Sequence, residues 1–181
     1  MRPLPDAQLG RGREFMKRFV AEKRAHISYP LYFLQQAAAA LDGGSALGTS
    51  LLCRAALEAA YCFFLQWAGN AVSGHEHVMA SAPQLLPGQK KPGDRAVFGN
   101  VMRRIEESKL LSPAQLKASE RIRHNGNWVA HILQVTEKER LRSPNPLDWT
   151  PWIDENGAWA DFEDAADIIR TIEGAFPSIY R

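Results

Sequence analysis

Residues 122–131 bring together side chains that could act on a phosphodiester. The segment reads IRHNGNWVAH and holds an arginine, two asparagines and two histidines. Arg123 supplies a permanent cation able to hold a phosphate, and the imidazole of His131 titrates near neutral pH. Together these two groups are the minimum equipment for cleaving an RNA backbone without a metal ion. The segment therefore predicts phosphate binding combined with acid–base chemistry.

The spacing within this segment fits one face of a helix. Arg123, Asn127 and His131 follow an i, i+4, i+8 series, which drifts by about 40° per step on a helix of 3.6 residues per turn. His124 and His131, seven positions apart, align more closely. Asn127 is placed to orient either His131 or a bound phosphate. All four side chains are candidates for a single cleft.

A structural role for the same residues is the alternative. The Gly126-Asn127 pair fits a close-packing or helix-breaking feature, with His131 hydrogen-bonded in the core. Arg123 would then pair with an acid such as Glu58. The sequence by itself leaves both interpretations open.

Composition predicts one helical domain spanning residues 1–181. A chain of 181 residues that is 45% hydrophobic can bury one substantial core. The net charge of +2 conceals basic surpluses in residues 1–24 and 101–144 and an acidic tail over residues 145–181. The second surplus permits a polyanionic partner near Arg123, although a solvated helix face explains it equally well.

The cysteines and the apolar windows predict a cytoplasmic location. Cys53 and Cys62 lie nine positions apart in one expected helix, so they project from opposite faces and cannot bridge each other. This usage suits a reducing compartment. The basic start of the chain does not resemble a secretory signal, and the most apolar window carries Arg54 and Glu58 near its middle. We therefore expect no membrane span.

Apolar periodicity predicts an all-α fold. The Ser112-Pro113 pair predicts a helix start, with serine as the cap and proline in the first turn. Arg54 and Glu58, one turn apart in the central helix, are expected to pair. Long irregular stretches are expected over residues 69–94 and 143–152. The expected helices cover residues 8–26, 30–41, 47–67, 95–108, 113–131 and 160–176.

Two further groups of residues invite a functional interpretation. His75-Glu76-His77 contains residue types that bind metal ions but lacks the additional ligands of a closed site, so we expect no metal centre. Trp149, Trp152 and Trp159 are able to stack on bases, but anchoring of the surrounding chain to the bundle is the simpler role.

Three stretches together resemble a known superfamily. They are the helix SLLCRAALEAA, the later Arg-x-x-Gly-Asn-x-x-x-His segment, and a closing helix rich in Ala, Asp and Ile. They are similar to the HEPN superfamily (higher eukaryotes and prokaryotes nucleotide-binding), and most of all to a bacterial branch of unknown function that is often found fused to restriction-type proteins. The resemblance covers residues 46–175 and leaves residues 1–45 as an N-terminal helical extension.

The resemblance implies a helical bundle that forms a homodimer and acts as a metal-independent ribonuclease of toxin–antitoxin or antiphage systems. Arg123 would be the motif arginine, His124 the polar residue after it, and His131 the motif histidine. RNA and an antitoxin or defence partner would be its partners, with no cofactor. Seven residues separate Arg123 from His131, more than in the usual nuclease motif, and this spacing resembles the branch of unknown function more closely.

Three functions therefore follow from the sequence. In a ribonuclease, Arg123 and His131 would share an exposed cleft and act on RNA, with Arg54 and Glu58 supporting them from the neighbouring helix. A non-catalytic RNA- or nucleotide-binding module would bind in a salt-dependent manner without cleavage. A dimerising regulatory domain would lose its fold when Asn127 or His131 is changed.

Overall fold

A computed structural model describes residues 10–21, 28–72, 98–130 and 155–176, and in these ranges the chain is almost wholly helical, with no strand. The all-α prediction is confirmed. The helices of the described ranges are α1 (Arg11–Ala21), α2 (Ser28–Asp42), α3 (Ala46–Val72), α4 (Phe98–Glu107), α5 (Pro113–Ala130) and α6 (Glu155–Ala175).

Helix α3 is the centre of the bundle and contacts α2, α4, α5 and α6. Several of its buried positions hold small residues, such as Ser50, Ala56 and Ala60, which lets neighbouring helices approach closely. Its window Ala46–Leu65 is long and apolar enough to cross a membrane by length and composition alone. Its packing against four other helices is nevertheless that of a core helix. Its buried apolar positions are Cys53, Ala56, Leu57, Ala60, Tyr61 and Phe64.

The two N-terminal helices are part of the same bundle. Helix α2 lies along α3 and contributes Leu34, Ala37 and Ala38 to the continuous core. At its end, the buried carboxylate of Asp42 accepts hydrogen bonds from the backbone N–H groups of Gly12 (2.8 Å) and Arg13 (3.1 Å). These groups lie in the first turn of α1 and have no partner within that helix. One acidic side chain therefore fixes where α1 begins.

Helix α5 begins where the Ser112-Pro113 pair predicted. The Ser112 hydroxyl accepts a hydrogen bond from the Gln115 backbone N–H (3.2 Å), and Gln115 Oε1 accepts one from the Ser112 N–H (3.0 Å). This reciprocal arrangement is a capping box. Gln115 Nε2 also donates to Asp167 and Thr171 of α6, so the same side chain starts α5 and ties it to α6.

The boundaries of three helices differ from the sequence expectation. Helix α2 begins at Ser28, ahead of the expected start at residue 30, and so includes Tyr29 and Pro30, since proline is tolerated in a first turn that needs no N–H donor. Helix α3 runs on to Val72, beyond the expected start of the irregular stretch. Helix α6 begins at Glu155, ahead of the expected start at residue 160, and its early turn buries Ala158 completely. Tertiary packing overrides local propensity there.

Apolar residues at helical spacing in the sequence predict the inner face of the last helix, and the structure confirms it. The six residues of that face are all buried in the core, and they sit at the three- and four-residue spacing of an amphipathic helix. They are Phe162, Ala165, Ala166, Ile168, Ile169 and Ile172.

Both cysteines are free thiols, as predicted. Burial raises the pKa of Cys62 to about 11, with a smaller contribution from the negative charge of Glu58. Burial likewise raises the pKa of Cys53, with Asp161 as the secondary cause. Both thiols are therefore held in their neutral, unreactive form at physiological pH.

Candidate functional site

Helix α5 carries most of the candidate site. Arg123, His124 and Asn127 all lie within it, so the helical geometry on which their alignment depends holds as far as Ala130. Arg123 and Asn127 stand one turn apart and are partly exposed, whereas His124 is exposed. The candidate catalytic histidine, His131, lies just outside the described residues, as do His75-Glu76-His77, Trp149 and Trp152.

The inner face of α5 approaches α3 at a glycine. Gly126 is buried, and a Cβ atom placed on it would lie 2.5 Å from both Cβ and Cδ of Arg54. Real Cβ atoms do not approach other carbons so closely. The aliphatic stem of Arg54 therefore lies directly on the backbone of α5, and only glycine leaves room for it.

Arg54 and Glu58 form the pair predicted from their spacing. Their closest side-chain atoms, Nη2 and Oε2, are 3.4 Å apart, and only 13% of the Arg54 side chain is exposed. Nε of Arg54 is buried and has no hydrogen-bond partner among the described residues. The guanidinium also lies 5.5 Å from the centre of the Phe98 ring of α4. A buried cation is thus held beside α5 with part of its hydrogen-bonding capacity unused.

Arg123 is paired with Glu120, an acid of its own helix. Nε of Arg123 donates to Glu120 Oε2 (2.9 Å), and Nη2 donates to the other carboxylate oxygen, so the contact is bidentate. The hydrogen bond from Arg123 lowers the pKa of Glu120, to which the nearby His124 also contributes. The suggestion that Arg123 pairs with an acid such as Glu58 thus identified the kind of partner but not the residue.

The opposite flank of α5 forms a buried polar network that the sequence analysis missed. Asp161 of α6 is fully buried and accepts hydrogen bonds from Arg121 Nε (2.9 Å), Asn125 Nδ2 (2.9 Å) and Ser50 Oγ (3.0 Å). Nη2 of Arg121 donates a hydrogen bond to Asp164 Oδ2 (2.7 Å). One carboxylate thereby joins three helices. The available signal was an aspartate beside Phe162, on the apolar face of an amphipathic helix.

The two flanks of α5 divide the candidate residues between different roles. Arg121 and Asn125 serve the network with Asp161. Arg123 and Asn127 lie on the other flank and are partly exposed, and we call this side the solvent flank. Among the described residues, no group of three or more His, Cys, Asp or Glu side chains could hold a metal ion. The chemistry on offer at the solvent flank is that of guanidinium and amide groups, which bind oxyanions.

A scan against protein-family models finds no match, and searches of the curated proteins and of the solved structures find no significant match either. The resemblance to the HEPN superfamily therefore rests on the residues of α3, α5 and α6 themselves.

Proposed function

We propose that this chain is a HEPN-like, metal-independent endoribonuclease whose site lies on the solvent flank of α5. One observation carries the proposal. The packing of Gly126 on Arg54 places a second, nearly buried guanidinium beside the helix that bears Arg123. Arg123 and Gly126 are three residues apart and so are neighbours on the helix surface. Two arginines beside one short stretch of helix favour a phosphate ligand.

The proposed reaction is transesterification at an RNA phosphate. His131 takes the proton from a ribose 2′-hydroxyl, the 2′-oxygen forms a bond to phosphorus, and the bond from phosphorus to the 5′-oxygen breaks. The leaving 5′-oxygen receives a proton from the same histidine of a second protomer. Arg123 holds the non-bridging oxygens and stabilises their developing charge. Arg54, held by Glu58, supports this side of the site, and Asn127 orients the phosphate or His131.

Glu120 gives this proposal a consequence that can be checked. Its carboxylate occupies the Nε–Nη2 edge of the Arg123 guanidinium, so a phosphate either displaces it from that edge or binds the remaining donors against the repulsion of a neighbouring negative charge. An exposed pair of this kind contributes about 0.2–1 kcal/mol, so removing the competing charge should raise affinity for RNA by up to about five-fold. Arg104 and Glu107 form a similar exposed pair on α4 and provide a matched control.

In the cell, the proposal makes this chain a cytoplasmic homodimer acting as a toxin or antiphage effector, with an antitoxin or defence protein as its partner. Dimerisation matters for the chemistry because each protomer supplies one histidine. A chain that does not cleave RNA could still bind it through Arg54 and Arg123. The experiment must therefore distinguish a ribonuclease from an RNA-binding module.

The test is a cleavage assay on mixed tRNA and mRNA in the presence of a chelator, with analysis of product ends. We expect 2′,3′-cyclic phosphate ends, a loss of about 10²–10⁴-fold in Arg123→Ala and His131→Ala, and wild-type rates in the control Arg104→Ala. Glu120→Gln should bind RNA more tightly, whereas Glu107→Gln should not. If the folded protein binds RNA in a salt-sensitive manner but does not cleave it, the chain is an RNA-binding module and not an enzyme.

A further inference from the structure

A groove between α1 and α6 combines three arginines with three aromatic rings. It encloses about 340 Å³ and shares no residue with the site on α5. Its cations are Arg11, Arg18 and Arg170, and its rings are Phe15, Phe19 and Trp159. Glu163 is the one acid of its lining.

Helical spacing explains why these residues meet. Arg11, Phe15 and Arg18 follow an i, i+4, i+7 pattern and so lie on one face of α1. The two helices touch through aromatic side chains. The ring of Phe15 lies edge-on to Trp159, with centroids 6.1 Å apart, and 5.1 Å from the ring of Phe162. Contact through bulky rings leaves open space between the helices.

The rings of the groove already carry cations. The guanidinium carbon of Arg11 lies 3.8 Å from the centre of the Trp159 ring, and that of Arg170 lies 5.0 Å from the centre of Phe19. Stacking of this kind holds a guanidinium flat while its N–H donors stay directed outwards along the edge. The donors of Arg11 are thereby oriented for a planar or tetrahedral oxyanion.

We propose that this groove binds a small phosphate monoester carried on a flat ring. The lining holds three arginines and one glutamate, so positive charge predominates and favours an anionic ligand such as a phosphate monoester, which carries roughly −1.5 to −2 charges at pH 7. The planar guanidinium of Arg11, held over the Trp159 ring, gives the flat ring of the ligand a stacking surface. A volume of about 340 Å³ lies at the small end of ligand sites, which suits a single ring with one phosphate.

The proposal is tested by titrating the full chain with phenyl phosphate while following indole N–H signals by NMR. Trp159→Phe identifies the signal of Trp159. We expect a saturable shift of that signal by phenyl phosphate, and weaker binding of inorganic phosphate, phenol and benzoate. Inorganic phosphate lacks the ring, phenol lacks the negative charge, and benzoate lacks the second negative charge.

Arg18→Gln supplies the matched variant because Arg18 is an exposed residue of the groove. It should weaken phenyl phosphate binding by about ten-fold or more. Lys17→Gln removes the same charge from the neighbouring position, outside the groove, and should leave binding unchanged. The proposal is overturned if phenyl phosphate gives no saturable shift, if benzoate binds as tightly, or if Arg18→Gln behaves like Lys17→Gln. The arginines would then serve only to cover the aromatic rings.

Discussion

Replacing Gly126 by alanine measures how tightly α5 is seated on α3. In a helix interior, alanine is normally better than glycine by about 0.8–1.0 kcal/mol. Here the new methyl group would lie 2.5 Å from Cβ and Cδ of Arg54, whereas unstrained carbons keep about 3.5–4.0 Å apart. Cβ of Arg54 is fixed to the backbone of α3 and cannot rotate away. The two helices must therefore separate locally by about 1 Å.

Overpacking of this kind costs about 1–3 kcal/mol, and the rigid contact places Gly126→Ala in the upper part of that range. After the gain in helix propensity, we expect a net destabilisation of about 1–2 kcal/mol. Gly99→Ala is the matched control because it lies in helix α4 and a Cβ there meets nothing within 4 Å. It should be neutral or stabilising by up to about 1 kcal/mol.

Urea unfolding followed by circular dichroism gives the free energies of both variants. The gap between Gly126→Ala and Gly99→Ala should be about 2 kcal/mol, or roughly 4–8 °C in Tm for a chain of this size. Arg54→Ala removes the Cδ contact but keeps Cβ, so in that background the cost of Gly126→Ala should fall without vanishing. Equal stability of the two glycine variants would refute the idea that Gly126 is selected by this contact.

Two further predictions concern buried groups. Asp161→Ala should destabilise the bundle by about 2–4 kcal/mol, since Ser50 and Asn125 lose their hydrogen-bond acceptor. Asp164 is more exposed, and Asp164→Ala should cost at most about 1 kcal/mol. Similar losses of the two variants in urea unfolding would contradict the role of the network. For Cys62, the folded pKa of about 11 exceeds the ordinary value of 9.0, so its contribution to stability is complete below pH 9 and is lost as pH rises towards 11. The free energy of unfolding in urea, followed between pH 8 and 10, should thus fall more steeply in the wild type than in Cys62→Ala, by up to about 1.4 kcal/mol per pH unit, and parallel curves would rule this out.

Local patterns were sufficient to predict most of the fold. The start of α5 follows from a cap and a proline, and the inner face of α6 follows from apolar spacing, because both depend on residues within one or two turns. The early start of α6 was not predictable in this way. Its first turns hold Asn156 and Gly157, which are weak helix formers, and the helix is stabilised there by the burial of Ala158.

In the candidate site, too, local contacts were predictable from the sequence and long-range contacts were not. The pairing of Arg54 with Glu58 was predictable because both residues lie on one helix, one turn apart. The i, i+3 spacing of Glu120 and Arg123 carries the same local signal, so this pair was predictable too, although the expectation named Glu58. Contacts between residues far apart in the chain leave no local pattern, and the network around Asp161 was missed for that reason.

The hub at Asp161 constrains how relatives of this chain can diverge. Ser50 and Asn125 depend on the same carboxylate, so neither is expected to survive in a relative where position 161 has become apolar. The three positions should vary as a set across helices that are distant in sequence. Arg121 has a second acceptor in Asp164 and is freer to persist or change by itself. Correlated substitution at positions 50, 125 and 161 would therefore be a fingerprint of this bundle, even in relatives that retain none of the residues of the proposed site.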